Sequence, residues 1–263
     1  MATQIATPLN ALFLELRLTA ARQCYREAAN LARKENLSYE QYLLAVLQEE
    51  RTLRNQKRTA RLLKLSGLPL EKDMVGFDRK RLPQNINMQI AAILDGSFLD
   101  RSENILIFGN PGSGKTHLVC AIGQALVAQG RRVLFKSTSV LVQELLATKR
   151  DLKLPKYLKK LSKFEALIID DIAYVQQDHR EMEVLFTLLA DRYERRSVLL
   201  TSNLPFSKWE QIFHDPMTTA AAIDRLVHHS IILELNLPSY RLEQSLKHKA
   251  ANGSTGQAAT SKG

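Results

Sequence analysis

The stretch Gly109, Asn110, Pro111, Gly112, Ser113, Gly114, Lys115 and Thr116 places flexible glycines directly before a lysine and a hydroxyl residue. Such a stretch is suited to binding phosphate. Gly112 and Gly114 let the backbone bend so that successive N–H groups converge on phosphate oxygens, at the positive end of the helix that follows. Lys115 supplies a cation for the β- and γ-phosphates, and Thr116 a hydroxyl for Mg²⁺. The flanks agree with the motif. Asn104 to Phe108 reads as a buried strand and His117 to Gln129 as a helix, the context that the pattern G-x-x-x-x-G-K-[ST] requires. Gly109 through His117 is therefore the expected cradle for ATP, a P-loop.

A second group should face it. ALIIDDIAY, Ala166 to Tyr174, ends an apolar strand in two adjacent carboxylates, where a P-loop protein needs an acid near Mg²⁺ at the carboxyl edge of its sheet. Asp170 is the magnesium-side acid in this reading, and Asp171 polarises an attacking water as the base of a Walker B motif. A further strand ends in Thr201-Ser202-Asn203, whose amide could hold water between the γ-phosphate and the acids. Taken alone, Ser-Asn before Leu-Pro is a plain turn.

These residues need a sheet to position them. Apolar runs near Asn104–Phe108, Arg132–Phe135, Ala166–Asp170, Ser197–Thr201 and Ser230–Leu235 alternate with helical patterns. Several are nearly continuously hydrophobic, as strands buried on both faces of a parallel sheet must be. The fold class predicted is α/β, a three-layer sandwich with a parallel sheet, preceded by a small all-helical domain. The expected boundaries are 1–67 for the helical domain, 68–102 for a connector with a short helix near Ile86 to Leu94, 103–249 for the ATPase domain and 250–263 for a disordered tail.

Leu12, Leu16, Ala20 and Cys24, then Leu43, Leu44 and Leu47, carry the helical period in the amino-terminal part. Ser38 with Gln41 resembles a capping box opening a helix to about Leu65. On that helix Arg51, Arg54, Arg58 and Arg61 recur at intervals of three, four and three, with Lys57 and Lys64 beside them. The stripe is either a solvated face or a phosphate-binding one. A denser cluster, Lys149, Arg150, Lys153, Lys156, Lys159, Lys160 and Lys163, meets a single acid, Asp151, with Tyr157 and Phe164 interleaved. Both aromatics suit base contacts or the buried side of a short helix.

The formal charge of +10 favours a polyanionic partner, nucleic acid or an anionic membrane, and argues against a small-metabolite kinase. Cys24 and Cys120 are the only cysteines, which supports neither a disulfide framework nor a cysteine metal cluster. His228 and His229 lack metal-ligand company in the sequence. MATQIATPLNALFLEL has neither the basic start nor the long apolar core of a secretory leader, and no run reaches the length of a membrane span. The expectation is a cytoplasmic, membrane-free protein.

The order of Walker A, Walker B and a polar residue closing the next strand resembles the AAA+ ATPases. GNPGSGKTHL, LIIDDIAY, LLTSNLPFSKW and DPMTTAAAIDRLVHHS are similar to the IstB family, ATP-dependent helpers of insertion-sequence transposases and relatives of DnaC-type helicase loaders, over Leu12 to Lys247. The resemblance implies sensor 1 at Asn203, and at Arg225 an arginine finger offered to a neighbouring subunit, hence a homo-oligomer. On its residues alone Arg225 is a surface arginine beside Asp224. The resemblance also implies a sensor-2 contact for Arg241, and it puts the basic stretch Thr148 to Lys163 where initiator and loader clades insert helical structure that meets DNA. The family usually carries Glu where Asp171 stands, which implies slower hydrolysis here. The function implied is an ATPase that assembles on duplex DNA with weak sequence preference and regulates a cognate transposase. The rivals are a helicase loader acting on single-stranded DNA and a P-loop small-molecule kinase.

Overall fold

The computed structural model describes residues 2–172, 179–209, 216–240 and 242–243. Arg241 and the tail expected from Ala250 lie outside them. The chain divides into two compact units, Met1–Arg61 and Leu62–Gly263.

The first unit is helical: α1 (Ala2–Glu15), α2 (Thr19–Glu35) and α3 (Tyr39–Ser66), whose last turn belongs to the second unit. The capping box forms. Gln41 N donates to Ser38 Oγ at 3.2 Å and Ser38 N to Gln41 Oε1 at 2.8 Å, which meets two of the amide donors that a helix start leaves open. Ala20, Ala21 and Val46 are buried, whereas Leu12, Leu16, Leu43, Leu44 and Leu47 of the periodic set stay exposed. So short a chain buries little of its own apolar surface.

A charged group replaces the missing core. Leu18 cannot cap α2, and buried Glu50 of α3 does so from 29 and 30 residues away, its Oε2 accepting from Ala20 N at 2.7 Å and Ala21 N at 3.2 Å. Arg54 closes the network, its Nε 2.8 Å from Glu50 Oε1 and one terminal nitrogen donating to Arg17 O at 3.1 Å. Burial alone would raise the Glu50 carboxyl, but Arg54 and the amides of Ala21 and Ala20 outweigh it and hold the group below the ordinary glutamate value. A depressed carboxylate contributes stability above its unfolded pKa and loses it as pH falls through the folded value. Glu50→Ala is expected to destabilise the helical unit by about 1–3 kcal/mol at neutral pH, the cost of stranding buried donors. Urea melts of variant and wild type should converge as the pH drops below the glutamate range.

The second unit holds five parallel strands in the order β2-β3-β4-β1-β5: β1 (Asn104–Gly109), β2 (Val133–Ser137), β3 (Ala166–Asp170), β4 (Ser197–Ser202) and β5 (Ser230–Leu235). Alternate residues of β1 serve opposite cores. Ile105 and Ile107 pack with α4 (Gln84–Ile93) and α5 (Lys115–Ala128), and Leu106 and Phe108 with α6 (Thr138–Arg150), α7 (Leu154–Leu161), α8 (His179–Arg192) and α9 (Pro216–Val227). This is the three-layer α/β arrangement.

The stretch assigned to a connector contributes Leu68, Leu82, Ile86, Ile90, Ile93, Phe98 and Leu99 to the first of these cores. Gln124 Nε2 holds it to α5 through Pro69 O at 2.8 Å. β1 lies inside the parallel sheet, between β4 and β5, and the loop after it falls at the carboxyl edge, where open α/β sheets bind ligands.

Candidate functional site

Gly114 caps α5 in the left-handed conformation with φ +96°, and a Cβ there would lie 3.1 Å from Phe77 Cε2. Gly112 (φ +80°) faces Ser239 so closely that any Cβ would overlap the serine side chain. Only glycine fits both demands. Lys115 is the first residue of α5, 8% exposed, and its Nζ donates to Gly109 O at 2.8 Å and Asn110 O at 3.0 Å. The ammonium thus lies inside the curl of the loop. Ser113 Oγ is buried there and has no hydrogen-bond partner among the described residues. A buried hydroxyl left unmet, beside a buried cation and a helix N-terminus, fits a phosphate group.

The carboxylates come from β3, two strands from β1. Thr116 Oγ1 donates to Asp170 Oδ1 at 3.0 Å, so the hydroxyl and acid expected at Mg²⁺ meet directly. Thr138 Oγ1 donates to Asp170 O at 2.9 Å and fixes the end of the strand. Asp171 follows in a left-handed conformation, φ +61°, with Oδ1 buried and unpartnered among the described residues. Burial, and then the negative charge of Asp170, push its carboxyl above the ordinary aspartate value, and Lys115 partly offsets them. Asn203 lies past the end of β4, its Oδ1 also buried and without a partner among the described residues, and lines a cavity of about 310 Å³ with Gly109, Asn110 and Pro205.

A second cavity, about 210 Å³, is lined by Gly112–His117 together with Phe77, Arg81, Leu237 and Tyr240. His117 Nε2 is 2.7 Å from Asp73 O and its ring lies 5.4 Å from that of Phe77. Tyr240 N donates to Gly112 O at 3.0 Å, and Arg81 holds the same segment through Pro238 O at 3.0 Å and Glu243 Oε1 at 2.7 Å. Sequence reasoning passed over Phe77, Arg81, Tyr240 and Thr201. The signal for Tyr240 was its place beside Arg241, and Phe77 and Arg81 stood in the stretch read as a connector.

Arg225 of α9 stacks over the Phe186 ring at 4.6 Å with one terminal nitrogen buried and unpartnered among the described residues. It does not line the cavities beside its own P-loop.

The basic residues are dispersed in their pairing. Arg51, Lys57, Arg58 and Arg61 are exposed on α3, while Arg54 is engaged by Glu50. Lys149 pairs with Glu183, and Arg150 and Lys153 lie 3.9 and 3.8 Å from Asp151. Lys156, Lys159 and Lys160 are exposed on or beside α7. Tyr157 takes the buried side of that helix and donates to Glu144, and Phe164 lies under Arg132, its ring 5.8 Å from the guanidinium carbon. His228 and His229 do gain company from the fold: exposed Glu194 approaches them, the ligand atoms of all three within 4.8 Å.

A parallel α/β sheet with this loop and acid pair defines a P-loop protein of the AAA+ class. Residues 11–248 match the model of the family described as IstB-like ATP binding protein, and the chain belongs to that family. It is 42% identical over 249 residues to an insertion-sequence ATP-binding protein of Sinorhizobium fredii, covering 94% of this chain and 84% of the relative. The IS21 ATP-binding protein of Pseudomonas aeruginosa is 38% identical over 217 residues, 82% of each chain. The crystal structure of the DnaC helicase loader shares the fold at 18% identity, TM-score 0.54, over 63% of this chain and 97% of that one. Domain III of the Thermotoga maritima replication initiation protein DnaA does so at 19% identity and TM-score 0.54, over 72% and 77%. Among the described residues no helix is long and apolar enough to cross a membrane.

Proposed function

We propose that this chain is an ATPase that assembles on duplex DNA with weak sequence preference and regulates the transposase of an insertion sequence. The observation that carries the reading is the meeting of Lys115, Thr116, Asp170 and Asp171 at one sheet edge, in a member of a family whose relatives are ATP-binding proteins of insertion sequences. Gly109 to His117 would hold the nucleotide, with Lys115 on the β- and γ-phosphates. Thr116 and Asp170 would hold Mg²⁺, which neutralises phosphate charge when bound. Asp171 would orient the attacking water, and Asn203 would steady it near the γ-phosphate. Residues 1–67 serve as the DNA- and partner-binding part, and 103–249 as the ATPase part. Other copies of the chain complete the sites, with Arg225 acting in trans.

DNA contact rests on the exposed cations of α3 and on Lys149 to Lys160. They are long side chains without an evident groove-reading motif, so binding is to phosphate and largely indifferent to sequence. Gel shifts with duplexes of unrelated sequence should give similar affinities, strengthened by ATP. Each phosphate contact should contribute about −0.9 to the slope of log K against log salt. Arg51→Gln, Lys57→Gln and Arg61→Gln together should flatten that slope by up to about 2.7, three such contacts. Arg54 is left in place to keep Glu50 satisfied. An unchanged slope would return the α3 stripe to an ordinary solvated face.

A further inference from the structure

We infer that Thr201 positions both site carboxylates, a role that presupposes the nucleotide-hydrolysing reading above. Its hydroxyl orients Asp170 toward a metal ion and fixes the backbone from which Asp171 projects. Thr201 is fully buried on β4. Its Oγ1 lies 2.6 Å from Asp170 Oδ1 and 2.8 Å from Asp171 N. The proton directions follow from chemistry. A backbone amide can only donate, so the hydroxyl accepts from Asp171, and its single proton is left for the Asp170 carboxylate. Thr201 is thereby locked as a rotor. With Thr116 donating to the same Oδ1, that oxygen of Asp170 accepts from two hydroxyls, and Oδ2 has no hydrogen bond from the described residues.

The same residue governs where the chain leaves the sheet. The β3–β4 ladder runs as far as Ile169 opposite Leu200. One step on, the side chain of Thr201 takes over the pairing by accepting from Asp171 N, and its carbonyl accepts from Ile172 N at 3.1 Å. Asp171 sits between these two bonds in the left-handed conformation, which L-residues adopt reluctantly and which surrounding contacts must therefore impose. Valine would keep the β-branched shape that suits a central strand, but would strand the Asp171 amide and release the Asp170 carboxylate.

Residues that orient metal ligands typically change metal affinity or activity about 10- to 100-fold when removed. Binding of methylanthraniloyl-ATP to Thr201→Val should match wild type in EDTA. The Mg²⁺ concentration giving half of the metal-dependent gain in affinity should rise by about that factor, and Thr201→Ser should restore the wild-type requirement. A buried hydroxyl with a merely structural role would lower the melting temperature without moving the Mg²⁺ requirement. A folded valine variant with the wild-type requirement overturns the role of Thr201 and leaves the ATPase reading standing. A wild-type chain without Mg²⁺-dependent nucleotide binding overturns both. If the valine variant does not fold, Thr201→Cys is titrated instead, since its thiol is a weaker donor in a similar volume; an unchanged requirement there counts equally against the role.

Discussion

Lys115→Ala is expected to abolish productive ATP binding while leaving the α/β unit folded. The ammonium is nearly buried and held by Gly109 O and Asn110 O, inside the loop formed by Gly109 to Gly114. A phosphate entering that loop would replace two contacts to neutral carbonyls with contacts to an oxygen of opposite charge, so that both partners of each bond are ionised. Removing one partner of a buried, hydrogen-bonded charge pair costs about 2–5 kcal/mol. At 1.4 kcal/mol per tenfold, affinity should fall by roughly 30-fold to several thousandfold.

Thermal melts give an independent readout. Nucleotide at a hundred times its Kd stabilises the native state by about 2.7 kcal/mol, and a unit of roughly 200 residues shifts its melting temperature by about 2–4 °C per kcal/mol. Wild type should therefore gain about 5–10 °C with Mg·ATP, and Lys115→Ala no more than about 3 °C at the same concentration. An equal gain in both would remove Lys115 from nucleotide binding. Without ATP the two proteins should melt within a few degrees of each other, because the truncated side chain frees carbonyls that solvent can reach.

The parts of the molecule legible in the sequence are those where chemistry fixes residue types at neighbouring positions. Gly112 and Gly114 announce a tight anion-binding curl because no other residue tolerates the approach of Ser239 and Phe77. Ala166–Asp170 and Ser230–Leu235 were bounded to the residue, since apolar runs between polar punctuation carry that information locally.

What escaped depends on contacts distant along the chain. Thr201 read only as the end of an apolar strand, and its importance appears only when β4 lies beside β3 and brings the hydroxyl to an acid 31 residues away. The work of Glu50 as the cap of α2 and the anchor of Arg54 needs the helices folded against each other. Leu68 to Leu99 lacked a dominant period, because short turns and one brief helix each lend a residue or two to a core built mainly by others.

Arg225→Ala is expected to retain ATP binding and lose most hydrolysis, by about 10³- to 10⁵-fold if the guanidinium acts as arginine fingers do in well-studied phosphoryl transfer. The reading rests on family resemblance, and the geometry is compatible with service outside the chain's own site. Arg225 does not line the cavities beside its own P-loop, and it stacks on Phe186 with a buried nitrogen unmet by the described residues. An arginine kept only to stack on an aromatic ring would contribute about 0.5–2 kcal/mol to stability and nothing specific to turnover. Melting temperature and turnover therefore separate the two roles, and Arg225→Lys sharpens the contrast by keeping the charge while losing the planar fork. Mixing provides the decisive measurement. Lys115→Ala subunits carry an intact arginine and a dead loop; Arg225→Ala subunits carry the reverse. If sites are shared between subunits, a mixture of two nearly inactive proteins should recover a substantial part of wild-type turnover, more so at higher protein concentration and on duplex DNA that gathers subunits. Mutants shown to co-assemble without any recovery would confine Arg225 to its own chain and sink the shared site.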